Sequence, residues 1–249
     1  MKPQPLPPKA HPAIETVRLV WLAIFVSVFS FLFYFRHGDV LLYGDAVAHI
    51  NIARRVFDSK TPGLLQLGTV WLPLPHLLIM PFIVSMRMWQ NGSGGSIPSM
   101  AGYVFGALGV FRLMRGVLSR DGQVDIVATI GAWVAAFVYG ANPNLIYMQS
   151  TAMGESLYLA FFIWAVVFFA EFVRGKANAL TKCGLCLAAA CLTRYDGWFL
   201  AAALVAGAVF VVFRPRQLTD DLASRSVVPS SRPALVKFVF LAASVPMLW

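Results

Sequence analysis

Apolar runs long enough to cross a bilayer constrain this chain more than any motif in it. The run at 17–35 and others further on reach the roughly 20 residues that span a hydrocarbon core about 30 Å thick. A soluble fold could not bury them. Of the 249 residues 59% are hydrophobic and 12% charged, about half the charged share of an ordinary globular chain. Lipid offers backbone amides no partner, so each segment must satisfy its own, and the runs outlast the roughly 10-residue alternating strands of a membrane barrel. The expected fold is therefore all-α. It is a polytopic bundle of about seven spans, at 17–35, 100–118, 125–141, 152–173, 180–192, 198–213 and 236–249, with amphipathic outer-face helices in a long first loop, 36–99.

A net charge of +9 in a soluble protein would point to nucleic acid. Here the basic residues gather between the apolar runs, which is the mark of membrane topology and leaves no case for a nucleic-acid partner. Lys2, Lys9 and Arg18 at the front of the first run imitate a secretion signal, but the run is long and FRHGDV behind it has no small-x-small cleavage site, so a retained anchor is expected. With a cytoplasmic N-terminus, fourteen of the twenty Lys and Arg fall inside, leaving Arg36, Arg54, Arg55, Lys60, Arg87 and Arg194 outside. Residues 1–16, rich in proline, are expected to be a disordered cytoplasmic tail and 17–249 one transmembrane domain. The last run continues to Trp249 without a basic flank, as expected of the N-terminal portion of a longer protein.

The segment 71–89, WLPLPHLLIMPFIVSMRMW, is apolar, but Pro73, Pro75 and Pro81 interrupt it. It reads as re-entrant or interfacial rather than as a span. NGSGGS after it reads as a flexible connector. His76, Trp71, Trp89, Tyr103 and Trp198 read as interfacial anchors. Cys183, Cys186 and Cys191 share one apolar run with no histidine near, so small helix-packing residues outweigh a redox pair.

The candidate chemistry gathers on the outer side. In LLYGDAVAHINIARRVFDSKTPG, helical spacing puts Asp45 and His49 one turn apart on one face. Ala46, Ile50, Ala53 and Phe57 form an apolar stripe suited to the membrane surface. A carboxylate there takes a proton from an acceptor hydroxyl or holds a divalent cation against a phosphate, with imidazole assisting. Alternatively, Asp45 caps the helix and His49 sits in the headgroup layer. Glu155 in TAMGESL is either a functional carboxylate facing a cavity or a first-turn residue complementing the helix dipole. Arg194 and Asp196 in LTRYDGW either pair with each other or present a guanidinium to phosphate oxygens.

A first span, then an acid in an outer-face helix, PG, QLG, WLPLPH, TAMGESL and LTRYDGW together resemble the GT-C superfamily of polytopic membrane glycosyltransferases, from about residue 17 to 213. The resemblance implies transfer of sugar from a polyprenyl-phosphate-linked donor to an acceptor at the outer face of a bacterial or archaeal plasma membrane. It implies Asp45 as catalytic base or metal ligand, with His49 beside it should a divalent cation be bound. His49, Arg54, Glu155, Arg194 and Asp196 become candidates for binding substrate or phosphate, and the partners implied are the lipid-linked donor and membrane lipids. Asp45, His49 and a nearby arginine also look like the first-loop motif of archaeal oligosaccharyltransferases. The chain departs from the pattern in having Ala46 where many members carry a second acid, and in lacking the C-terminal portion that reads peptide. A non-enzymatic membrane protein, a transporter fragment or an assembly subunit, accounts equally for the helices.

Overall fold

The computed structural model describes residues 12–67, 70–119, 126–213 and 231–248. Every regular element among them is helical. The α-helices are α1 (Pro12–His37), α2 (Gly44–Arg55), α3 (Pro73–Ile79), α4 (Met86–Gln90), α5 (Ser93–Leu118), α6 (Ile126–Gly140), α7 (Pro143–Gln149), α8 (Glu155–Val173), α9 (Ala177–Cys191), α10 (Asp196–Phe213) and α11 (Ser231–Leu248). Four helices, Ala13–His37, Ser93–Leu118, Glu155–Val173 and Asp196–Phe213, are long and apolar enough to cross a membrane, and α6 with α7, bent by 64° at their break, makes up to five. Of the expected seven spans, four or five are met by length and composition among the described residues. The run at 180–192 forms α9, whose 15 residues are shorter than a crossing requires.

Helix α1 shows how a helix that is apolar all round divides its surface. Leu19, Ala23, Ser27 and Ser30 recur at helical spacing and are buried, while Trp21, Phe25 and Phe29, on another face, stay 66%, 66% and 65% exposed. Small residues turn inward because neighbouring backbones approach there, and bulky ones are left for lipid. The helix starts at Pro12, so 12–16 belong to α1 and not to a disordered tail. Residues 1–11 of that tail lie outside the described residues.

Helix α5 is the hub, packed on α1, α6 and α8. Its glycines permit this. A Cβ at Gly102 would lie 2.8 Å from the backbone of Leu157, and one at Gly95 would collide with Ala152. The connector reading of NGSGGS therefore fails beyond Gly92. Asn91 Oδ1 accepts from the Ser93 amide and hydroxyl, and 93–99 form the first turns of α5. Glycine there answers close helix packing, a demand that composition alone does not separate from flexibility.

A second core, HINIAR-side residues of α2 against protein, sits at the end of the bundle away from Glu15. Ala46, Ile50 and Ala53 pack on Ile79, Ile83, Ala152 and Met153. Three residues of the stripe expected to lie on the membrane surface are covered by protein instead, and only Phe57 stays exposed. Its spacing specifies an apolar partner and not which one. Within 70–92 the chain forms only the short helices α3 and α4 with a 3₁₀ turn, Met80–Phe82, between them. It makes no span, as the prolines predict. The three cysteines are free, two of them buried in the core around α9.

Candidate functional site

Serine hydroxyls hold the segment between α7 and α8 in place. Ser96 donates to the Ser150 carbonyl (2.9 Å), Ser99 to the Met153 carbonyl (2.6 Å), and Ser156 back to the Ser99 carbonyl (2.7 Å). Gln149, fully buried, accepts from Ser27 (2.7 Å) and donates to Ser30 (2.7 Å) and Ser150 (2.8 Å) on its other side. Satisfied polar networks of this kind fix one arrangement of helices in an apolar interior. Their consequence is a rigid start to α8, where Glu155 stands.

The segment from Val70 to Leu74 docks on the α9–α10 turn. The Leu74 amide donates to the Leu192 carbonyl (3.1 Å), and Tyr195 Oη to the Val70 carbonyl (2.9 Å). Arg194 spans the turn, its Nη1 on Glu155 (2.7 Å) and its Nε on Asp196 (2.9 Å). The two alternatives for Arg194 and Asp196 are thus joined: they pair, and the same guanidinium also reaches α8. Burial works against the Arg194 charge, yet the Asp196 hydrogen bond and the two carboxylates outweigh it and raise its pKa. Glu155 is a first-turn residue of α8, as the dipole reading has it, and its Oε2 is buried without a partner.

Asp45 lies in the first turn of α2, exposed. It is not the cap: Tyr43 holds that position and no side chain bonds there. Among the described residues its carboxylate makes no ion pair. One turn on, His49 is 7% exposed, its ring edge-to-face on Trp71 with centroids 4.7 Å apart. Its Nδ1 is 2.9 Å from Nε2 of His76, which is fully buried. Burial lowers the His49 pKa to about 4, the Asp45 charge raising it and that of Arg194 lowering it further. Burial likewise lowers His76 to about 3, with the neighbouring His49 adding to the effect. Both rings are neutral at physiological pH.

Asp45, His49 and the Arg194 cluster therefore meet at one end of the bundle, drawn from segments more than a hundred residues apart. Arg54 does not join them. At about 100° per residue it lies about half a turn from Asp45. Its guanidinium bonds Asp58 (2.9 Å) and the carbonyls of Ile83 (2.8 Å) and Val84 (3.2 Å), and it lies over Phe57 and Trp89. Its place is that of a strut between α2 and the turn before α4. The cation whose charge reaches His76 is Arg55.

His76 was expected as an interfacial anchor, and so was Tyr103. Both are buried, Tyr103 donating to the Gly140 carbonyl (2.7 Å). A lone histidine in an otherwise apolar, proline-started helix is the signal that such a residue needs a buried partner. Spacing along the chain cannot supply the partner's identity. A divalent cation would find Asp45 and His49 only, since no group of three or more His, Cys, Asp or Glu able to hold a metal occurs among the described residues. These residues do not make a cation cage.

Comparison with protein-family models, with curated proteins and with solved structures yields no match.

Proposed function

We propose that this chain is a GT-C-type membrane glycosyltransferase, or the N-terminal part of one, that passes a sugar from a polyprenyl-phosphate-linked donor to an acceptor at the outer face. The orientation proposed puts the N-terminus in the cytoplasm, which puts Asp45 and Arg194 outside. The observation that carries the reading is an exposed carboxylate, Asp45, without an ion pair among the described residues, at the same end as an arginine held by two acids. Transporters keep their functional polar groups near the membrane midplane. Here the buried cluster around Gln149, at the break between α7 and α8, satisfies itself instead.

In this mechanism Asp45 takes the proton of the acceptor hydroxyl as its oxygen attacks the anomeric carbon. The bond from that carbon to the phosphate oxygen breaks with inversion, and polyprenyl phosphate leaves with the bonding electrons. Arg194 is the cation available to the leaving phosphate. Its guanidinium is held in place by Glu155 and Asp196, so it need not reorganise as charge develops. An apolar groove of about 570 Å³ between α3, α5, α8 and α9, from Leu78 and Phe82 to Trp164 and Phe168, has the chemistry that a prenyl chain requires.

The test is transfer of radiolabelled sugar from polyprenyl-phosphate donors in membranes carrying the chain, against Asp45→Asn. Loss of a general base costs about 10²–10⁴-fold, with insertion intact. Undiminished transfer in the variant overturns the assignment.

A further inference from the structure

Where the last turns of α5 and α8 meet the start of α1, a cavity of about 380 Å³ is lined by Arg112, Arg115, Arg174 and Lys176 against one acid, Glu171. Its size is within the range of small-molecule sites, about 300–1,000 Å³. Arg115 is taken up by Glu15 in a one-to-one pair that is nearly buried. Glu171 is shared, its Oε1 accepting from Arg112 Nε (3.0 Å) and its Oε2 lying 3.6 Å from Lys176 Nζ. Arg174, one residue past α8, has no ion pair among the described residues. Two acids thus face four cations, and two positive charges are left over.

Cations at the C-terminal ends of α5 and α8 complement the helix dipoles, but that role asks for no cavity. Arg174 reaches from the end of α8 to α5, where a Cβ at Gly116 would lie 2.8 Å from its Nη1. Glycine at 116 leaves room for the guanidinium. Arg112 is held on its side by Glu171 and by the rings of Trp164 and Phe168, 5.3 and 5.8 Å from its guanidinium carbon. Guanidinium groups present the donor fork that fits phosphate oxygens.

The remaining walls include Leu108, Val167 and Trp164, and Trp164 also lines the apolar groove that runs on toward Phe82. A free anion gains nothing from apolar walls, whereas an acyl chain does. The cavity also lies at the ends of helices long enough to cross a membrane, the depth at which basic pockets between spans meet lipid headgroups.

We propose that this cavity binds the phosphate of an anionic phospholipid, with Arg174 and Arg112 donating to its oxygens, Lys176 adding charge, and the acyl chains leaving past Trp164. The site stands apart from the transferase reading and is at the opposite end of the bundle from Asp45.

The experiment is native mass spectrometry of the full chain, released from neutral detergent and titrated with phosphatidylglycerol or with phosphatidylcholine of the same acyl chains. Phosphatidylglycerol should bind about tenfold more tightly or better, and millimolar inorganic phosphate should not displace it. Equal affinity for the two lipids overturns the proposal, and the unsubstituted chain alone decides this. Displacement by inorganic phosphate overturns the lipid assignment and makes the ligand a free anion. Arg174→Gln should cost about fivefold in phosphatidylglycerol affinity and leave phosphatidylcholine unchanged, with helix content by circular dichroism intact. Arg18→Gln removes a positive charge at the same end without touching the cavity lining, and it should keep the preference. If Arg18→Gln costs as much as Arg174→Gln, the attraction belongs to the whole basic face and the cavity is no site.

Discussion

At the end of the bundle that holds Glu15 the acids are met by cations, and at the opposite end, where Arg194 holds Glu155 and Asp196, some polar groups are left over. Arg115 meets Glu15 (3.4 Å), and Glu171 takes both Arg112 and Lys176. Both members of the Arg115–Glu15 pair are nearly buried, with side chains 13% and 10% exposed. At the other end Asp45 has no ion pair among the described residues, one oxygen of Glu155 is buried unpartnered, and two buried histidines share a proton. Pairs that neutralise one another across α1, α5 and α8 hold helices together. Groups with capacity left over are fit to meet something else, and leaving them so costs stability.

The sharpest way to break this comparison is to cut one charge at each end. Asp45→Asn should abolish transfer, about 10²–10⁴-fold, while the unfolding temperature in detergent hardly moves. Arg115→Gln should do the opposite, leaving Glu15 buried and unpaired at a cost on the order of 3 kcal/mol, with transfer per folded molecule unchanged. If the two variants behave alike, the ends do not differ in kind.

The histidine pair gives the next effect, one of pH. Both folded pKa values are depressed below the ordinary 6.5, to about 4 and about 3. The unfolded chain thus binds more protons than the folded one as pH falls. The stability from neutral rings is complete above about pH 6.5 and is lost between there and about pH 4. Asp45 opposes this loss at His49, while Arg194 at His49 and Arg55 at His76 favour it. The unfolding free energy should fall by up to about 5 kcal/mol from pH 7.5 to 4.5, about half from each ring, and His76→Leu should remove about half of the fall. A flat profile in the unsubstituted chain would show that the rings are already charged or exposed.

A smaller effect belongs to the network that holds α8. Gln149→Leu strands the Ser27 hydroxyl and takes a donor from Ser30 and Ser150, and should cost about 1–2 kcal/mol, read as a lower unfolding temperature. Smallest is Arg112→Gln. Its side chain is 47% exposed, so solvent screening leaves about 0.2–1 kcal/mol.

Much of the fold was legible beforehand because a bilayer-length apolar run admits one backbone solution. The helical class followed from the runs, as did the absence of a span at 71–89, whose prolines remove amide donors. The α2 stripe was legible as apolar, and Asp45 and His49 as one face, but the partner of Ala46, Ile50 and Ala53 is protein and not the membrane surface. Span number was less legible, since apolarity over 180–192 does not state helix length. NGSGGS misled because glycine serves both flexibility and close packing.

The sequence by itself determined an all-helical chain with an acid and an imidazole in its first loop, because periodicity and hydropathy are local properties read at known spacings. Only the tertiary structure decided that His49 pairs with His76, that Arg194 rather than Arg54 joins the site, and that Glu155 stands within its reach. Those are distances between segments brought together by packing at Gly95 and Gly102 and by the serine bonds of α5. No spacing along one chain encodes them.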